Sequence, residues 1–204
     1  MIRGLYAVTP ECPDTDRLAE QVENAILGGA NIVQYRSKSD DPALKTEQAG
    51  ALKEICGRHG IPLIVNDDID LALEVDAAGV HIGQHDGPIM EARARLGIRL
   101  LGISCYDRLD LALEAEALGA DYVAFGSFFA SSTKPDAARA PLPLLQMAKL
   151  SIKIPVVAIG GITPGNGATL VESGADALAV VTALFDAADI QAAARQFSEL
   201  FSAK

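Results

Sequence analysis

The stretch VQYRSK carries Gln34, Arg36 and Lys38 at alternate positions. Residues two apart on an extended chain point the same way, so the three can reach one ligand. Arg offers a planar fork for phosphate oxygens and Lys a compact point charge. The stretch therefore reads as a phosphate binder, with a solvated basic turn as the alternative. Carboxylates follow in VNDD and GVHIGQHD, which supply Asn66, Asp67 and Asp86. Two carboxylates, with phosphate oxygens and waters completing six ligands, suit Mg²⁺. The competing use of such residues is as helix N-caps, and Asp68, directly ahead of the apolar LALEV run, fits that role. For Asp67 and Asp86 the metal reading leads, in the company of Arg36, Lys38 and Lys134.

Further along, GISCYD brings Ser104. The polar stretch AFGSFFASSTKPD brings Ser131, Ser132, Thr133 and Lys134. Hydroxyls, a lysine and the intervening backbone N–H groups make a phosphate clamp; a surface loop of small residues is the alternative. AIGGITPGN and AVVTALF then offer Gly160, Gly161, Val181 and Thr182. Glycines allow close backbone approach, and paired loops of this kind bind phosphate through N–H groups; a tight turn is the plainer use of a Gly pair. His81 is expected inside the fold, His85 exposed beside Asp86, and His59 near a helix end, so the histidines do not form a zinc site. Cys12, Cys56 and Cys105 lack CxxC spacing and read as reduced structural thiols. There is no GxSxG elbow and no Ser–His–Asp arrangement. The side chains on offer suit electrostatic stabilisation of a held or departing phosphate rather than covalent catalysis.

These residues need elements to gather them. Short apolar runs at roughly 4–8, 31–35, 62–66, 79–82, 99–104, 121–125, 155–159 and 177–181 alternate with amphipathic stretches. Near-continuous apolar runs such as PLIVN and PVVAIG fit strands covered on both faces of a parallel sheet. TDRLAEQVENAILGG places Leu18, Val22, Ala25 and Ile26 at helical spacing and ends in glycine, and RLDLALEAEALGA repeats the pattern with Gly119 as its stop. Eight strand–helix alternations in 204 residues predict a single-domain (β/α)₈ TIM barrel spanning 1–204. An open doubly wound sheet is the rival, but no GxGxxG follows the first run. In a barrel the chemistry gathers at the C-terminal strand ends, and all the residues above stand there. The net charge of −10 disfavours nucleic acid and anionic lipid as partners. No apolar run approaches the ~18 residues of a membrane span, and no signal peptide is evident at the N-terminus, so a cytoplasmic location is the expectation.

The ordered set VQYRSK, IVNDDIDLAL, GVHIGQHD, GISCYD, FGSFFASSTK, PVVAIGGI and AVVTALF resembles the thiamine phosphate synthase family, from about Leu5 to Phe185. Each motif is modest alone; seven in order are specific. The resemblance implies a transferase that joins an aminomethylpyrimidine diphosphate to a hydroxyethylthiazole phosphate or its 2-carboxy form. It releases diphosphate, and CO₂ in the second case. It implies Gln34, Tyr35, Arg36, Ser37, Lys38, Asn66, Ser104 and Lys134 as the pyrimidine diphosphate site, with Arg36, Lys38, Lys134 and Ser104 catalytic. Asp67 and Asp86 become the Mg²⁺ ligands. Ser131, Ser132, Thr133, Gly161, Val181 and Thr182 become the thiazole phosphate site. Ser131 stands where the family often has Thr, and Thr182 where it often has Ser; both keep a hydroxyl. Tyr35 stands where Leu or Phe is common. The partners implied are two small molecules, and homo-oligomerisation stays open. A thiazole tautomerase of the same barrel, a non-catalytic thiamine or thiazole phosphate binder, and a phosphosugar isomerase or epimerase are the rival functions. The intact diphosphate and metal set argues against the tautomerase and the sugar enzymes.

Overall fold

A computed structural model describes residues 2–84, 86–130 and 139–202. Eight parallel strands close in sequence order into a barrel. They are β1 (Gly4–Val8), β2 (Ala30–Tyr35), β3 (Leu63–Asn66), β4 (Gly79–Ile82), β5 (Leu100–Tyr106), β6 (Tyr122–Phe125), β7 (Val156–Ile159) and β8 (Ala177–Val180). Outside lie α1 (Thr15–Leu27), α2 (Pro42–His59), α3 (Ile69–Glu74), α4 (Ile89–Leu96), α5 (Leu109–Ala117), α6 (Pro143–Ser151), α7 (Pro164–Glu172), α8 (Thr182–Phe185) and α9 (Ile190–Glu199). Aspartates start four of the helices. Asp14, Asp41, Asp68 and Asp189 accept the N–H groups of Arg17, Ala43, Leu71 and Ala192 at 2.8–2.9 Å. Such a cap contributes about 1 kcal/mol.

The pleat sorts each strand into two cores. Leu5, Ala7, Val33 and Tyr35 face outward into the layer between sheet and helices, together with Leu18, Val22, Ala25 and Ile26 of α1. Tyr6, Val8, Ile32, Ile64, Tyr122, Ala124, Val157, Ala177 and Ala179 fill the lumen. At the N-terminal face, the Asp121 and Asp176 carboxylates accept the N–H groups of Leu101 and Val156 at 2.7 and 2.8 Å. They also pair with Arg93 and Lys149. That rim is built for closure and the opposite rim for chemistry. Among the described residues no helix is long and apolar enough to cross a membrane.

Candidate active site

Strand β2 delivers Gln34 inward and buried, with Arg36 one pleat further on at the rim. Thr9, buried at the end of β1, brackets the Arg36 backbone: its hydroxyl accepts the Arg36 N–H at 2.9 Å and donates to the Arg36 carbonyl at 3.1 Å. The Glu11 carboxylate accepts the Lys38 N–H and lies 3.4 Å from the Arg36 guanidinium. Tyr35 packs its side chain away from the expected site. The same pleat that turns Gln34 inward turns Tyr35 away from the mouth, where it is 2 % exposed and donates to Gln48 Oε1 at 2.9 Å. Gln48 in turn donates to the Cys12 carbonyl at 2.7 Å. Tyr35 thus ties the β1 loop to α2 and touches no ligand space with its side chain. Ser37 sits in the loop beyond, where its hydroxyl accepts the Ser39 N–H.

The consecutive aspartates after β3 part company. Asp68 caps α3, the plainer role foreseen for it. Asp67 takes a left-handed φ of 61° and donates its N–H to the His81 carbonyl on β4 at 2.8 Å. Asn66 Nδ2 donates to Asp67 Oδ2 at 2.6 Å. Asp86 is held by the Gly83 N–H, which donates to its Oδ2 at 2.7 Å. A Cβ on Gly83 would stand 2.9 Å from that oxygen, so the glycine makes room for the carboxylate. Asp67 reaches water, yet partial desolvation and then the Asp86 carboxylate raise its pKa from 3.8 to about 6, with Arg36 a smaller opposing influence. Adjacent strand ends therefore present a carboxylate pair short of positive charge. Among the described residues no cluster of three or more His, Cys, Asp or Glu side chains could hold a metal. Two carboxylates with phosphate and water oxygens are what Mg²⁺ commonly accepts, so the donor set fits that ion.

Below the rim a polar chain crosses the lumen. Gln34 Nε2 donates to the Tyr6 hydroxyl at 2.9 Å, and the Tyr6 and Tyr122 hydroxyls are 2.7 Å apart. His81 Nδ1 is 3.2 Å from the Tyr122 hydroxyl and His81 Nε2 is 2.9 Å from Ser104 Oγ. Burial lowers the His81 pKa to about 4, so the imidazole is neutral at neutral pH. Burial likewise raises both phenols well above their ordinary range. The expectation that His81 points into the barrel holds, and both its ring nitrogens are engaged. His59 ends α2 as expected. The three cysteines are free, Cys56 and Cys105 being buried with thiols pushed up to about 12 by desolvation.

On the other side of the mouth, β7 runs into Gly160 and Gly161, with φ of 104° and 62°. Their Cβ atoms would lie 2.0 Å from Ser127 Oγ and 2.2 Å from the Ala130 carbonyl. The segment after β6 is strapped onto this turn, since Phe128 and Phe129 donate to the carbonyls of Ile159 and Gly160. Val181 leads into α8, which opens at Thr182 on the neighbouring strand end. The first N–H groups of such a turn have no partner within their own helix. Ser131, Ser132, Thr133, Lys134 and His85 lie outside the described residues. A cavity of about 770 Å³ lies between α1 and the segment after α8, with Glu11 in its lining.

The fold thus gathers Gln34, Arg36, Asn66, Asp67, Asp86 and Ser104 on β2 to β5. Gly161, Val181 and Thr182 stand on the facing β7 and β8. Sequence reasoning missed Tyr6, Tyr122, Thr9 and Glu11. The signal for the tyrosines was the pleat: with Leu5 and Ala7 facing out, Tyr6 must face in.

Comparison with known proteins adds an independent finding. The family model described as "Thiamine monophosphate synthase" matches residues 5–184. The thiamine-phosphate synthase of Thiobacillus denitrificans is 54% identical, over 98% of this chain and 96% of that protein. Its counterpart from Nitrosospira multiformis is 53% identical, over 98% and 86%. Among solved structures, thiamine phosphate pyrophosphorylase from Pyrococcus furiosus superposes with a TM-score of 0.87 at 36% identity, covering 97% of this chain and 94% of that one. The (S)-3-O-geranylgeranylglyceryl phosphate synthase of Thermoplasma acidophilum has a TM-score of 0.73 at 16% identity, with 100% and 95% covered, a likeness of fold alone.

Proposed function

The chain belongs to the thiamine monophosphate synthase family, and from that membership we propose how its own residues carry out the coupling. The reaction joins 4-amino-2-methyl-5-(diphosphooxymethyl)pyrimidine to 4-methyl-5-(2-phosphoethyl)thiazole, or to its 2-carboxy form, giving thiamine phosphate and diphosphate. The carbon–oxygen bond to diphosphate breaks, its electron pair leaving with the diphosphate. The thiazole nitrogen lone pair forms the new carbon–nitrogen bond. No proton has to be removed from that nitrogen, so the step needs no general base.

What carries this reading is the meeting of Asp67 and Asp86 near Arg36, a carboxylate pair short of positive charge beside a guanidinium at the same strand-end mouth. Asp67 and Asp86 would hold Mg²⁺, which supplies neutralisation of charge on the departing diphosphate. Arg36, Lys38 and Lys134 hold the diphosphate and oppose the charge it gains. Gln34, Asn66, Ser37 and Ser104 hold and orient the pyrimidine diphosphate, with Ser104 donating toward the reacting end. Gly161, Val181 and Thr182 offer N–H groups to the thiazole phosphate, joined by Ser131, Ser132 and Thr133. The enzyme is a cytoplasmic transferase of one catalytic domain, residues 1–204, with two small molecules as its substrates and homo-oligomerisation open.

The test is thiamine phosphate formation by purified protein given both substrates, with and without Mg²⁺. Product is expected only with the ion, and Asp67→Ala or Lys134→Ala should nearly abolish it. Full turnover in EDTA overturns the metal assignment. Tight binding of thiamine phosphate with no turnover supports a binding protein instead.

A further inference from the structure

Ser104 is the last member of a buried series whose polar hydrogens take one order when it starts from the Gln34 amide. The Gln34 amide nitrogen faces the Tyr6 oxygen at 2.9 Å; with its hydrogen given there, the Tyr6 proton goes to the Tyr122 hydroxyl, 2.7 Å away. Tyr122, having accepted, has its own proton left for His81 Nδ1. A neutral imidazole that accepts at Nδ1 carries its hydrogen on Nε2, which faces Ser104 Oγ. Ser104 accepts that hydrogen and keeps its own for whatever stands in the mouth.

The packing preserves this order. His81, Gly102 and Tyr122 stand side by side across β4, β5 and β6. A Cβ on Gly102 would lie 2.1 Å from the Tyr122 ring and 2.4 Å from its hydroxyl, so the missing side chain on β5 is what lets the histidine and the phenol meet. Their ring centroids are 5.5 Å apart. The series lies away from water, where hydrogen bonds polarise one another.

We infer that Tyr6, Tyr122 and His81 are positioning residues that run one way from Gln34 and fix Ser104 as a hydrogen-bond donor toward the departing anion. The inference rests on the coupling reaction proposed above. Run the other way, the series would turn the Ser104 proton down to His81 and present oxygen lone pairs to an anionic leaving group, opposing its departure. The phenols and imidazole touch no substrate in this role. They act by deciding which face of one hydroxyl the substrate meets.

Two measurements test it on the full chain. Nitrogen NMR of the ¹⁵N-histidine-labelled protein should show His81 protonated at Nε2 and unprotonated at Nδ1. Protonation at Nδ1, or at both nitrogens, overturns the direction. A double-mutant cycle then asks whether the series acts through the serine. Tyr122→Phe should lower kcat by about 5- to 30-fold, the effect of one misdirected hydrogen bond. KM for the pyrimidine diphosphate should move about twofold or less, as for an interaction made only in the transition state. In a Ser104→Ala background the same change should cost almost nothing further. Equal losses in both backgrounds refute coupling through Ser104. Tyr6→Phe, one link further away, provides a second variant and should act in the same sense but more weakly. A wild-type protein that makes no thiamine phosphate counts against the proposed function. A Tyr122 loss that adds to the Ser104 loss, in an enzyme that does make it, counts against this inference alone.

Discussion

Glu11 accepts the backbone N–H of Lys38 at 2.9 Å. One carboxylate therefore orders the end of the phosphate-binding stretch while holding a negative charge 3.4 Å from Arg36. A glutamine keeps the acceptor and removes the charge. Glu11→Gln should lower KM for the pyrimidine diphosphate by about fivefold at low salt, the size of one Coulomb interaction near 4 Å in water. The gain should shrink as salt is added. Steady-state kinetics at two ionic strengths check this; an unchanged or higher KM at low salt speaks against it.

Asp67 and Asp68 are neighbours in sequence with separate duties, one facing Asp86 and the other capping α3. Asp68→Ala should cost about 1 kcal/mol of stability, the usual loss of an N-cap, and leave kcat unchanged. Asp67→Ala should leave the fold at least as stable at neutral pH and remove nearly all turnover. Thermal melts alongside product assays separate the two, and a matching pattern in both variants would refute the division.

The carboxylate pair also gives a pH dependence whose sign can be worked out. Asp67 takes up its proton near pH 6 in the fold against 3.8 unfolded. Between those values the folded state holds more protons, so the pair's contribution makes metal-free stability fall as pH rises. The penalty is absent below the lower value and complete above the upper one. Mg²⁺ should relieve it, raising Tm more at about pH 7.5 than at about pH 5. Asp67→Asn should flatten both effects. An equal Mg²⁺ shift at the two pH values would refute the link.

Gly160 sits at φ 104° with Ser127 Oγ 2.0 Å from where a Cβ would stand. Alanine there forces both a strained backbone and a shift of the segment after β6. Gly160→Ala should lower Tm by about 4–8 °C, from roughly 2 kcal/mol of strain in a chain of this size. KM for the thiazole phosphate should rise more than KM for the pyrimidine diphosphate. Equal rises would show that the turn serves both halves of the mouth alike.

The barrel was legible because eight apolar runs and the helices between them each follow a clear period. The runs expected at 31–35 and 79–82 appear as Ala30–Tyr35 and Gly79–Ile82. The longest mismatch, β5 running on to Tyr106, follows from a shift in its pairing with β6 between Ser104 and Tyr106 that no propensity announces. The cations and carboxylates of the mouth were legible because rim positions carry side chains with little other use. The Tyr35 side chain stands apart from its motif neighbours because a motif names consecutive residues, whereas a pleat sends alternate ones to opposite faces. Tyr6 and Tyr122 were invisible because each reads as ordinary strand filling. Only closure of the ring brings β1 and β6, which are not neighbours in it, to opposite ends of one 2.7 Å contact.

That contact between opposite walls also braces the barrel from within. Tyr6 and Tyr122 touch across the lumen in one packed cluster with Ile32, Ile64 and Val157, so the barrel is filled beneath the strand ends that carry the mouth.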